Sequence, residues 1–173
     1  MTWITRIRLL LLLLTTVVLQ ATLFPDLRFF DVAPDLGLVA TIAVACRIGP
    51  ERGAVYGFAS GLAIDLFLQT PFGLSALSFA VVGYGAGIVQ GGMSRDVRFA
   101  APLFGGIGGL VGGFFFVTVA ALAGEDQVMA LRTVYVVLLA GVYDAVVACV
   151  LFPAARWATR GAEVPVVRGA GSL

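Results

Sequence analysis

The stretch GAVYGFASGLAID, residues 53–65, carries a glycine at every fourth position and ends the same row on an aspartate. Residues four apart lie on one face of an α-helix, so Gly53, Gly57, Gly61 and Asp65 share a face. Helices in a bilayer associate through small residues that let their backbones approach closely, and this face is therefore predicted to pack against other helices. Because Asp65 continues the glycine row, we expect its carboxylate to point into packed protein rather than lipid.

The composition of the whole chain is that of a membrane protein. Of its 173 residues, 60% are hydrophobic and only 12% are charged, and the mean hydropathy is +1.04. Soluble domains average roughly 45–50% apolar and about 25% charged residues. The net charge of +1 gives no signature of nucleic-acid binding. The composition thus predicts a polytopic protein of the lipid bilayer with no nucleic-acid partner.

The sequence offers little material for catalysis. It contains no histidine, which removes the usual triad base, proton shuttle and metal ligand. The glycine-rich string at residues 105–113 lacks the preceding strand and the lysine of a phosphate-binding loop. Cys46 and Cys149 stand alone in apolar runs, where they fit neither a disulfide framework nor a zinc site. We therefore predict no enzymatic activity, no catalytic residue, no metal site and no cofactor.

Six apolar runs follow one another along the chain. An α-helix needs about 20 residues to cross the hydrocarbon core, with a range of roughly 17–25. The second run is short for a span and indicates a short, tilted or re-entrant helix. The predicted fold class is all-α: a polytopic membrane protein built as a bundle of six transmembrane helices with both termini cytoplasmic. The runs are Leu9–Phe24, Leu36–Ile48, Gly53–Leu68, Phe72–Gln90, Phe99–Ala123 and Thr133–Phe152.

The arginines set the orientation of these spans. Cytoplasmic loops of membrane proteins carry an excess of positive charge. With the N-terminus in the cytoplasm, nine of the eleven arginines lie inside and only Arg28 and Arg132 lie outside. We therefore predict a single six-span membrane domain over residues 1–160 with both ends in the cytoplasm. Residues 161–173 are small and polar, and we expect a disordered cytoplasmic tail there.

Glycines recur at helical spacing in later runs as well. Gly83 and Gly87 are four residues apart in the fourth run, and Gly105, Gly109 and Gly113 form a row in the fifth. Two interpretations of all these rows, including that of residues 53–61, stay open. They tighten the bundle itself, or one of them forms a groove that receives the helix of another protein.

Polar side chains inside the apolar runs form a second group of candidates. We expect them to gather into one intramembrane cluster around Asp65, to which the start of the fourth helix near Phe72–Gly73 could donate amide hydrogens. The cluster serves either as a hydrogen-bonded staple between helices or as a proton or cation site. Its predicted members are Asp65, Gln69, Ser75, Tyr84, Tyr143 and Asp144.

The run from Pro34 to Gly87 resembles the rod shape-determining protein MreD family. Pro34-Asp35 open the second apolar run, and Arg47 precedes the turn GPERG, residues 49–53. The later matching positions are Gly57-Phe58, Gly61-Leu62, Asp65, Gly73-Leu74-Ser75-Ala76-Leu77, Gly83-Tyr84 and Gly87. Beyond residue 92 the likeness is mostly one of hydropathy.

This resemblance implies a non-enzymatic component of the bacterial cell-elongation machinery in the plasma (inner) membrane. Such proteins bind the transmembrane helix of MreC. Through MreC they connect to the peptidoglycan polymerase and transpeptidase, and to MreB where present, and so help to organise lateral peptidoglycan synthesis and cell shape. The family is also similar in helical arrangement to the substrate-binding subunits of energy-coupling-factor transporters. A small-molecule (vitamin) capture subunit is therefore the alternative.

Overall fold

The computed structural model describes residues 2–22, 32, 34–67, 73–92, 100–122 and 131–162. These residues form six α-helices, which confirms the all-α prediction. Gln69 and residues 163–173 of the predicted tail at 161–173 lie outside the described residues. The helices are α1 (Trp3–Thr22), α2 (Leu36–Ile48), α3 (Pro50–Asp65), α4 (Leu74–Gly91), α5 (Ala100–Leu122) and α6 (Leu131–Ala158).

The ends of α1 and α6 differ from the apolar runs that predicted them. The first helix starts at Trp3 because Thr2 accepts the amide of Thr5 at 3.4 Å and the Thr5 side chain is fully buried. The last helix runs through Pro153, where the missing amide proton removes a single hydrogen bond. Its final turn is held by packing, because Ala155 is also fully buried. Apolar runs therefore underestimate the length of helices whose ends pack against neighbouring helices.

Helix α2 is the centre of the bundle. Eleven of its thirteen residues are buried, and it contacts each of the other five helices. Those five form a closed ring around it, in the order α1, α3, α4, α5, α6 and back to α1. The most extensive contacts join α3 to α4 and α5 to α6. The ring thus consists of two tight helix pairs, with α1 completing the circle.

The short length of α2 follows from this position. Thirteen residues span about 20 Å at 1.5 Å per residue, less than the roughly 30 Å of a hydrocarbon core. A helix surrounded by other helices need not match the lipid thickness. By contrast, three helices of the described residues are long and apolar enough to cross a membrane: α1, α4 and Val134–Ala158 of α6. The protein is therefore a multi-pass membrane bundle.

A single residue joins α2 to α3. Gly49 has φ +91°, a left-handed conformation that favours glycine. Its amide donates to the carbonyl of Ala45 at 3.0 Å, which ends α2, and Pro50 occupies the first turn of α3. This tight turn fixes the direction of α3 relative to the central helix.

Candidate functional site

Asp65 joins the end of α3 to the beginning of α4. Its side chain is 4% exposed, and its carboxylate accepts three backbone N–H groups. Gly73 and Ala76 donate to Oδ2 at 2.9 and 3.3 Å, and Ser75 donates to Oδ1 at 3.3 Å. These amides belong to the first turn of α4, where no helical carbonyl is available to them. A negative charge also lies favourably at the positive end of the helix dipole.

The predicted polar cluster is divided in the structure. Ser75 meets Asp65 through its backbone amide, but Tyr84 lies about 13 Å further along α4 at 1.5 Å per residue and is 48% exposed. Tyr143 and Asp144 belong to α6, on the other side of the central helix. The expectation of one cluster is therefore wrong, because α2 stands between α3 and α6.

A second polar site lies around Asp144, which is 1% exposed. Its Oδ1 accepts the backbone amide of Asp35 at 2.8 Å. The Asp35 carboxylate, at the start of α2, accepts the amide of Leu38 at 3.0 Å and the Nε2 of Gln20 at 3.3 Å. The Oε1 of Gln20 in turn accepts the amide of Gly37 at 3.1 Å. This Gln20–Asp35–Asp144 bridge ties α1, α2 and α6 together.

The Gln20–Asp35–Asp144 bridge supplies hydrogen-bond acceptors to the amides at the start of α2, which lies inside the bundle. Amide protons in the first turn of a helix have no intrahelical partner, and leaving them unpaired away from water is costly. Each of the amides of Asp35, Gly37 and Leu38 has a side-chain acceptor here. Sequence reasoning placed Asp35 at this helix start but missed Gln20 as a partner. The one indication in the sequence was Gln20 itself, a single amide side chain within the first apolar run.

We expect removal of the Asp144 carboxylate to destabilise the bundle. Asp144→Ala leaves the partly buried amide of Asp35 without an acceptor, which costs about 1–3 kcal/mol. Asp144→Asn keeps an acceptor oxygen and is the matched control, with a smaller loss. Thermal unfolding in detergent measures both. Equal losses in the two variants would contradict the staple and favour a role for the charge.

The glycine rows of α3 and α4 face each other. A Cβ atom at Gly61 would lie 2.5 Å from backbone atoms of Ser75 and Ala76. Gly53 and Gly83 are in mutual contact, a Cβ at Gly57 would meet the backbone of Phe79, and one at Gly87 would lie 2.5 Å from the backbone of Pro50. The contacts are backbone to backbone, so neither helix can give way by moving a side chain.

The glycine row of α5 packs on α6. Gly105 lies against Ala148, Gly109 against the carboxylate of Asp144, and Gly113 against Val137. All eight glycines singled out from the sequence therefore serve contacts inside the bundle. The atoms nearest to the Cβ positions of these glycines belong to neighbouring helices of the bundle.

An open groove does exist, between α4 and α5. Its volume is about 470 Å³, and Ile42 of the central helix forms its floor. Gly85 lines it with open space where a side chain would be. Sequence reasoning missed this groove because Gly85 falls outside the regular rows. Every lining residue is apolar: Ile42, Val81, Val82, Gly85, Ala86, Val89, Leu103, Phe104, Ile107, Gly108, Val111 and Phe115.

The family of the chain follows from comparison with models of known protein families. The family model described as rod shape-determining protein MreD matches residues 1–157. The chain belongs to the MreD family. No curated protein and no solved structure matches it significantly. The resemblance carried by residues 34–87 is thus confirmed over almost the whole chain.

Membership in the MreD family establishes the general role and location. The chain is a multi-pass protein of the bacterial inner membrane that takes part in determining rod shape. MreD proteins are structural, shape-determining components and not a known enzyme family. The two polar sites of this MreD chain each join helices of its bundle.

Proposed function

We propose that the chain is a non-enzymatic scaffold of the rod complex that holds the transmembrane helix of MreC in the groove between α4 and α5. Through MreC it connects to the peptidoglycan polymerase and transpeptidase, and to MreB filaments where present. Membership in the MreD family supports the association with the rod complex. The groove is the single observation that supports this mode of binding.

The shape of the groove suits a helix. Its lining residues extend from Val81 to Val89 on α4 and from Leu103 to Phe115 on α5. These segments span about 12 and 18 Å at 1.5 Å per residue, so the groove is elongated along the bundle. Without a hydrophobic driving force inside lipid, helices associate where small residues permit close approach. Gly85 supplies such a position on the α4 wall, with nothing within 4 Å of its Cβ position.

The vitamin-capture alternative finds no support in this groove. Pockets for small molecules combine an apolar wall with a few polar groups that fix the orientation of the ligand. The lining residues of the groove include no polar side chain. The carboxylate of Asp65 is already engaged by three amides of α4. Saturable binding of a vitamin by the purified chain, lost in Asp65→Ala, would be needed to revive this alternative.

Gly85→Leu is expected to reduce the recovery of MreC while leaving the protein itself intact. The new side chain points into the groove and meets no atom of the bundle within 4 Å at its Cβ position. Overpacking an interface costs about 1–3 kcal/mol, so co-purified MreC should fall about tenfold. A pull-down of the tagged chain from its own membranes measures this loss.

Gly91→Leu is the matched control for this experiment. Gly91 lies on the same helix, also has open space at its Cβ position, and does not line the groove. MreC should follow this variant as it follows the natural chain. Full recovery of MreC with Gly85→Leu, or equal loss with both variants, would overturn the placement of the MreC helix.

A further inference from the structure

The two tryptophans of the chain lie at the same end of the bundle. Trp3 is at the beginning of α1 and is 71% exposed, and Trp157 is near the end of α6 and is 46% exposed. Tryptophan is enriched where a membrane meets water, because its ring is apolar and its N–H group is polar. This end of the bundle therefore lies at a membrane surface, and the arginine distribution assigns it to the cytoplasmic side.

Four arginines lie within five residues of these tryptophans along the chain. The guanidinium carbon of Arg8 lies 5.3 Å from the centre of the Trp157 ring, which brings the start of α1 against the end of α6. Arg156 precedes Trp157, and Arg160 follows it by one helical turn. Arg6 lies two residues before Arg8 and therefore on a different face of α1. Three of the four side chains are exposed, and that of Arg8 is partly exposed.

No carboxylate in the described parts of these two elements offsets this charge. Within residues 2–22 and 131–162 the only acid is Asp144, which is buried and engaged with Asp35. The next acid along the chain, Glu163, lies outside the described residues. The surface formed by Arg8, Arg156 and Arg160 beside the Trp157 ring therefore carries three positive charges and no exposed carboxylate from α1 or α6.

We propose that this surface, the Arg–Trp surface, binds the phosphate headgroup of an anionic phospholipid in the cytoplasmic leaflet. Guanidinium groups bind phosphate oxygens with two parallel hydrogen bonds, and the tryptophan rings lie at the depth of the headgroups. Each arginine near an anionic bilayer contributes a factor of about five to the attraction. The proposal is independent of MreC, because the Arg–Trp surface lies on α1 and α6 and the groove lies between α4 and α5.

The tryptophans themselves provide the test, because the chain contains only two. The full-length protein is placed in phosphatidylcholine vesicles that contain a small fraction of brominated lipid, which quenches tryptophan fluorescence on contact. Brominated phosphatidylglycerol is compared with brominated phosphatidylcholine at the same mole fraction. The Arg–Trp surface should select the anionic lipid by about fivefold or more, and added salt should weaken that selection.

Two double variants distinguish lipid binding at the Arg–Trp surface from a general electrostatic attraction between the protein and anionic lipid. Arg156→Gln with Arg160→Gln should lower the selection about fivefold or more and leave both tryptophans in place. Arg95→Gln with Arg98→Gln removes the same charge from another part of the sequence and should preserve the selection. Equal quenching by the two lipids in the natural chain would overturn the proposal without reference to any variant. Equal losses in both double variants would overturn it too.

Discussion

Gly61→Leu is expected to prevent the bundle from forming. A Cβ atom there would lie 2.5 Å from the backbone of Ser75 and Ala76, so α3 and α4 would have to move apart. That movement would also separate Asp65 from the amides it accepts, because Asp65 lies one turn further along α3. Overpacking alone costs about 1–3 kcal/mol, and the lost hydrogen bonds add to it. Size-exclusion chromatography in mild detergent should show little monodisperse protein.

The control for this prediction is the same substitution where space is available. Gly85→Leu and Gly91→Leu both place leucine on α4 with nothing within 4 Å of the Cβ position. They should yield normal amounts of monodisperse protein. A Gly61→Leu protein as stable as these two would show that α3 and α4 do not pack through this glycine row.

Asp65→Leu should produce the second large effect. It removes the acceptor of three buried or partly buried amides, and each unpaired amide costs about 1–3 kcal/mol. The total is expected to reach about 3 kcal/mol or more, which is a large part of the stability of a typical domain. Thermal unfolding and the protein level in membranes measure the loss.

Asp65→Asn separates hydrogen bonding from charge at this position. The carboxamide keeps one oxygen, which can still accept the amides of Gly73 and Ala76, so the loss should be clearly smaller than for leucine. If asparagine proved as damaging as leucine, the charge itself would matter. In that case the interpretation of Asp65 as a proton or cation site would gain over that of a structural staple.

The parts of the fold that could be predicted are those set by local pattern. Apolar runs and arginine positions predict six helices because both depend on nearest neighbours along the chain. The row that ends in Asp65 also predicts that this carboxylate is buried, since four-residue spacing defines a helix face. The ends of α1 and α6 were less predictable, because packing by other helices decides them.

The other features of the fold and of the polar sites depend on which helix lies at the centre of the bundle. The pairing of Asp35 with Asp144 arises because the central helix starts inside the bundle, which no pattern within residues 36–48 indicates. The groove between α4 and α5 could not be predicted from the sequence for the same reason. Gly85 is unremarkable in sequence, and its exposure follows only from how far apart α4 and α5 stand. Partners across the bundle are therefore the hardest feature to derive from one sequence.

The closed ring has a consequence for how the protein is made. Helices leave the ribosome in order, so the central helix enters the membrane before four of the five helices that will enclose it. It is too short to be a stable span alone, and Asp35 has no acceptor for its amide until α6 has been synthesised. The contact of Arg8 with Trp157 then joins the first helix to the last. A chain interrupted before α6 therefore leaves the Asp35 amide unpaired and one side of the central helix exposed to lipid.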